Sequence, residues 1–172
     1  MIGTNRNDIV QTNIAYTYAI MMRNIQELKG RYPFLEVGNI GYTVMGKPIS
    51  YVKMGSGEKE VLYSASFHAN EWITTVVLMK FIEDFCKAYE TDGKIYGYSA
   101  RQIFNQTSIY LVPMMNPDGV DLVTGAIPEN TGIYENFKYI ASSFPAIPFP
   151  SGWKANFNGL DLKNYQPSYK AL

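Results

Sequence analysis

The stretch Ser64 to Thr75, Ser-Ala-Ser-Phe-His-Ala-Asn-Glu-Trp-Ile-Thr-Thr, constrains this chain more than any other. The apolar run Val61-Leu62-Tyr63 before it reads as a strand, and Trp72 to Phe85 after it carries apolar residues at helical spacing. His68, the one histidine of the protein, therefore falls on a strand-to-helix connection, with Glu71 in the first helical turn. An imidazole and a carboxylate so placed can converge on one point, as two ligands of a catalytic zinc do. The same spacing suits a hydrogen-bonded structural histidine, so the pair alone leaves both readings open.

The 172 residues have the length of one domain with a sizeable core. Lysine plus arginine equals aspartate plus glutamate at 15 each, so no basic excess points to nucleic acid or an anionic membrane surface. The single cysteine, Cys86, excludes an internal disulfide, and its place on the apolar helical stretch suits a buried thiol. The N-terminus lacks a basic region followed by an apolar one, and no apolar run approaches the ~20 residues that span a bilayer. The expectation is a soluble chain with no visible export signal, cytoplasmic by default.

Residues 1–13 are polar and read as a leader or linker remnant; 14–172 read as part of one domain. Tyr18, Met21, Met22, Ile25 and Leu28 recur every three or four positions and predict a helix over 14–28. Strands are expected at 35–45 and 49–54, joined by the turn Met45-Gly-Lys-Pro48. A central strand at 59–66, a helix at 71–89, helical turns at 99–105 and a strand at 108–115 follow. This order predicts an α/β fold, a mixed central sheet with helices on both faces. Strands 59–66 and 108–115 should be parallel, with His68 and Asn116 at the same end, where ligands collect in such sheets. Beyond Asn116 the chain reads as irregular, partly helical over 129–143, and extended where Pro145, Pro148 and Pro150 recur.

Ser-Phe-His-Ala-Asn-Glu-Trp, Val112-Pro-Met-Met-Asn-Pro-Asp-Gly119, and Trp153-Lys154 followed by Gly159-Leu-Asp-Leu162 stand in the order of three motifs of the zinc carboxypeptidase (M14-type) family. Within that family the wording around His68 most resembles the bacterial γ-D-glutamyl-diaminopimelate endopeptidases, which cut peptidoglycan stem peptides. The resemblance implies a zinc-carboxypeptidase-like fold of which this chain supplies the N-terminal half. It also implies His68 and Glu71 as zinc ligands, Lys154 as a carbonyl polariser, and Asn70 and Asn164 as substrate contacts. In the family the third ligand is a later histidine and the general base a later glutamate; neither has a counterpart here. Asp118, Asp121 and Asp161 are the candidates to replace the ligand, each also readable as a turn or loop residue. Arginines of the family pattern are replaced by Asn70, Lys154 and Lys163-Asn164, which argues against a carboxylate clamp for plain C-terminal trimming.

The expectation is thus a metallopeptidase-like chain that acts on a cell-wall muropeptide in its parent enzyme. Alone, it should hold zinc weakly, hydrolyse little, and self-associate through the surface where the other half would pack. The alternative is a non-catalytic carboxypeptidase-like domain that binds peptide or a partner chain.

Overall fold

The computed structural model describes residues 8–164. Helix α1 (Tyr18–Arg31) starts where Thr17 caps it, its hydroxyl accepting from the Ile20 amide. Four residues of the helix expected from residue 14 therefore precede its first turn. Strands β1 (Glu36–Tyr42) and β2 (Pro48–Met54) form the expected antiparallel hairpin, with a register shift between Asn39 and Gly41. Strand β3 (Lys59–Ser64) leads through the His68 segment into helix α2 (Ile73–Glu90). A two-residue hairpin, β4 (Lys94–Ile95) and β5 (Tyr98–Ser99), precedes helix α3 (Ala100–Gln106) and strand β6 (Thr107–Val112).

The main sheet has the order β1-β2-β6-β3, with β2 antiparallel and β3 parallel to β6. The mixed α/β sheet is thus present, and strands 59–64 and 107–112 run parallel as expected. β3, expected to be central, is an edge among the described residues; β6 holds the inner place. β6 buries Ser108, Ile109, Leu111 and Val112, whereas Leu62 of β3 is 66% exposed. Val52 and Met54 of β2 and Ile109 and Leu111 of β6 share one face, where they form a single core with Met21 and Ile25 of α1 and Met79, Ile82 and Phe85 of α2. On the opposite face Ile40, Tyr51, Leu62, Tyr110 and Val112 line an open groove.

Gly55 and Gly57 let the β2–β3 loop lie directly on the α3–β6 junction. A Cβ at either would stand within 2 Å of backbone atoms of Gln106 or Thr107, so no other residue fits.

The segment expected as a polar leader is packed over its described part. Ile9 and Val10 are core residues, and their amides donate to the two carboxylate oxygens of Glu83 at 2.8 and 3.2 Å. Lys80 and Lys87 also bond Glu83 and meet Asp8, so the wholly buried carboxylate is paired on every side. Burial opposes ionisation of Glu83, but these donors hold its carboxyl below the usual range. Cys86 is buried in the same core, and burial pushes its thiol up to about 12.

Beyond Asn116 the chain is more regular than the sequence suggests. Asn116 caps helix α4 (Pro117–Val123) and Pro117 opens it, a favoured start because proline's missing N–H is unneeded there. Thr131 caps helix α5 (Gly132–Ala141). The proline-rich stretch is folded into successive turns rather than extended, closed by bonds such as Ile147 N to Phe144 O and Trp153 N to Pro150 O. A second cluster makes this possible: Leu122, Ile127, Tyr134, Phe137 and Trp153 bury one another with Ala69.

Candidate metal centre

The site begins with the way the chain leaves β3. Ala65 continues the sheet by donating to Val112 O and accepting from Met115 N. Ser66 then turns at φ +50°, a left-handed conformation that costs a non-glycine residue roughly 1–2 kcal/mol. Its side chain offsets that strain: Ser66 Oγ lies 2.7 Å from Thr75 Oγ1 and donates to Glu71 O at 3.2 Å. Thr75 in turn donates to Pro113 O. These hydroxyls bolt the start of α2 to the ends of both parallel strands. His68 follows and opens the short 3-10 turn Ala69–Glu71.

A second, irregular segment at residues 153–155 supports the turn after His68. Ala69 N donates to Lys154 O at 3.1 Å and Asn70 N to Trp153 O at 3.0 Å. Asn116, almost fully buried, ties the two segments together: its Nδ2 lies within 3.3 Å of the Phe67, Lys154 and Ala155 carbonyls, while its Oδ1 accepts from Gly119 N. Gly119 completes the joint, since a Cβ there would stand 2.7 Å from the Ala69 Cβ and 2.8 Å from Ala155 O. His68 and Asn116 therefore sit at the same end of the sheet.

The imidazole is held at both nitrogens. Nδ1 lies 2.9 Å from Glu71 Oε1, and Nε2 lies 3.2 Å from Asp161 Oδ1. Asp161 is itself fixed by Asn164 Nδ2 at 2.9 Å and Lys163 N at 3.0 Å. Burial raises the Asp161 pKa, but the bonds from Asn164, Lys163 and His68 outweigh it and hold the carboxyl below its usual range. A carboxylate on the far nitrogen of a histidine is the common arrangement behind a metal ligand, because it fixes the ring and its tautomer.

His68 Nδ1 and Glu71 are of the right types and close enough to share one edge of a zinc shell. Asp161 cannot be the third ligand, since the ring stands between it and Glu71. Asp118 and Asp121 are engaged elsewhere: Lys47 Nζ lies 3.5 and 2.7 Å from them, Met45 N donates to Asp118, and Tyr18 N to Asp121. Asp118 therefore fastens the β1–β2 turn to α4 rather than bonding its own turn. Cys86 is likewise remote, in the core. Among the described residues no group of three His, Cys, Asp or Glu side chains is placed to hold an ion.

The remaining site residues fall around this pair. The Lys154 side chain is exposed and lines a pocket of about 250 Å³ with Phe144, Phe149, Trp153 and Asp161. Asn70 lies beside Glu71, its Oδ1 buried without a hydrogen-bond partner. Asn164 turns toward Asp161. The sequence reading missed Asn116 as the hub, the Ser66–Thr75 brace and the service of Asp161 to His68. Of these, only the Asn-Pro helix start at 116–117 had a local signal.

The family model described as zinc carboxypeptidase matches residues 21–161. The chain is 44% identical over 153 residues to gamma-D-glutamyl-L-diamino acid endopeptidase 1 of Lysinibacillus sphaericus, covering 89% of this chain and 38% of that protein. It is 29% identical to carboxypeptidase E of Caenorhabditis elegans, over 73% of this chain and 28% of the other. It thus spans well under half the length of these relatives. Among solved structures, bovine thrombin-activatable fibrinolysis inhibitor aligns over 86% of this chain and 38% of its own, with a TM-score of 0.56 at 17% identity. The carboxypeptidase A of Helicoverpa armigera aligns over 71% of this chain and 30% of its own, with a TM-score of 0.54 at 18% identity. These two likenesses concern the fold alone. By family match and relatedness, the chain belongs to the zinc carboxypeptidase family of metallopeptidases.

Proposed function

We propose that this chain carries the first two zinc ligands, His68 and Glu71, of a peptidase that hydrolyses a γ-D-glutamyl bond to a diamino acid, as in peptidoglycan stem peptides. The observation that carries the reading is the clamped imidazole: Nδ1 beside Glu71 Oε1, Nε2 on Asp161. The name of the Lysinibacillus sphaericus relative supports the substrate class. When bound, zinc supplies Lewis acidity and an activated water. The chain's own residues do the rest. Asp161 holds the His68 ring, Asn116 fixes the distance between the two loops, and Lys154 offers a mobile positive charge to a carbonyl oxygen that gains charge. Asn70, half-buried next to Glu71, brings an uncharged amide side chain to the neighbourhood of the ligand pair. With asparagine at 70 and 164, an internal amide or hydroxyl suits the site better than a terminal carboxylate does.

Two donors make a weak site, so the isolated chain is expected to bind zinc only at high added metal and to hydrolyse little. Calorimetric zinc titration of the wild type, His68→Ala and Asp161→Asn tests this. Binding lost in His68→Ala and weakened by roughly ten- to a hundredfold in Asp161→Asn is the expected result. Equal binding by His68→Ala removes His68 from the ligand set. Supplying the rest of the catalytic domain from a relative in trans, and measuring hydrolysis of a γ-D-glutamyl-diaminopimelate peptide against a plain C-terminal peptide, tests the substrate class.

A further inference from the structure

We propose that Asn158 is a site of spontaneous covalent modification, losing its side-chain nitrogen as ammonia through a cyclic imide, and that the isoaspartate it leaves in the backbone releases Asp161 from His68.

Asn158 is the one asparagine of the chain that is followed by glycine. Its carboxamide carbon and the next backbone nitrogen can close a five-membered ring, an approach that a side chain on the next residue hinders and glycine leaves open. Every other asparagine here is followed by a residue with a side chain, and Asn116 by a proline, which has no amide hydrogen to lose. Asn158 is also exposed, and among the described residues nothing hydrogen-bonds its carboxamide.

The reaction needs only water and base. Gly159 N loses its proton and attacks Asn158 Cγ; the new N–C bond closes the imide, and the side-chain nitrogen leaves as ammonia. Water then adds to one ring carbonyl and breaks the bond from that carbon to Gly159 N. Opening at Cγ gives aspartate. Opening at the main-chain carbonyl carbon leaves the backbone running through Cβ, as isoaspartate, with a free α-carboxylate.

The turn around Asn158 sets both the rate and the consequence. Asn156 Oδ1 accepts from Asn158 N and Leu160 N, both at 3.0 Å, its main-chain O accepts from Gly159 N at 3.0 Å, and Asn156 N donates to Leu160 O at 2.9 Å. Gly159 N must leave Asn156 O before it can attack, so the ring closes from an opened turn and more slowly than in the unfolded chain. Isoaspartate lengthens the backbone by one Cα–Cβ bond, about 1.5 Å, inside this closed set of bonds. The backbone at Gly159 already packs on α5, where even a Cβ would stand 2.9 Å from Ile140 Cγ2, so the extra length passes on to Leu160 and Asp161. The contact of Asp161 Oδ1 with His68 Nε2, at 3.2 Å, is then lost.

Peptide mapping by mass spectrometry, on protein held metal-free in mildly alkaline buffer, should show a gain of about 1 Da at residue 158. The gain should be shared between two peptides of equal mass, one of them a substrate for isoaspartate methylation. The same chain unfolded in urea should convert faster. Because His68 is the one histidine, its ring gives one Cε1–H resonance, and a second should grow in step with isoaspartate in the ageing folded sample. Asn158→Gln, whose imide would need a six-membered ring, should keep its mass and its single histidine resonance; circular dichroism confirms that it is folded. A folded chain that gains no mass at 158 while the urea-unfolded chain converts, or isoaspartate that accumulates with the His68 resonance unmoved, overturns the proposal.

Discussion

Residues 64–75 and residues 145–164 build opposite walls of the same site by different means. The first wall is a strand end and a helix start, held by a short-range hydroxyl network and one large core. The second contains no strand or helix: its turns are held in place by Phe137, Phe149 and Trp153, whose rings meet edge to face at 5.5–6.1 Å. The first wall is rigid by its own hydrogen bonds, whereas the second is as rigid as the small cluster beneath it. The ligand pair stands on the first wall, and the residue that aims it stands on the second.

The largest effect should come from removing the prop of the second wall. Phe137→Ala opens a cavity in the small cluster and should cost about 3–5 kcal/mol there. Hydrogen exchange should then accelerate over 145–161 while β6 and α2 stay protected. Uniform loss of protection would show that the two walls are one cooperative unit and dissolve the distinction. Asn116→Ala cuts the joint between the walls, taking a donor from the Phe67, Lys154 and Ala155 carbonyls and the acceptor from Gly119 N, for about 2–3 kcal/mol by chemical denaturation. Zinc affinity in that variant should fall as it does in Asp161→Asn.

Within the first wall, Thr75→Val keeps the shape but removes the hydroxyl shared with Ser66 and Pro113, and should cost about 1–2 kcal/mol. If it costs nothing, the Ser66 turn is held by packing alone. The smallest effect is on acidification. Glu83 has its pKa lowered by the Ile9 and Val10 amides and the two lysines against the pull of burial, so its contribution is complete above the ordinary glutamate range. It is lost as pH falls through the lower folded value. Acid titration followed by NMR should release residues 8–10 from α2 before the Ser66–Thr75–Pro113 brace, which is made of hydroxyls and a carbonyl, responds.

The first wall was legible in the sequence because its order is local: a strand pattern, a small-residue turn and a helical period lie side by side. His68 and Glu71 were found for the same reason. The second wall was not. Pro145, Pro148 and Pro150 fix φ and remove donors, which in isolation reads as extended chain; tertiary contacts with Phe137 and Trp153 bend it into turns. The fate of Asp161 depended on a ring 93 residues away, and the anchoring of Ile9 and Val10 on a carboxylate more than 70 residues away. The order of strands was not legible either, since the parallel pairing of β3 with β6 joins segments far apart in the sequence.

The two bonds of His68 also differ in when they can form. Glu71 is three residues away, while Asp161 is 93. For an ideal chain, closing the longer loop costs about 3 kcal/mol more. The Nδ1 contact can flicker in an unfolded segment, but the Nε2 contact must wait until residue 161 has been made and gathered to the ring. A nascent chain leaving the ribosome therefore exposes a loosely swivelling imidazole while the 93 residues that follow it are made, and the ring acquires its fixed bearing only after residue 161 has emerged.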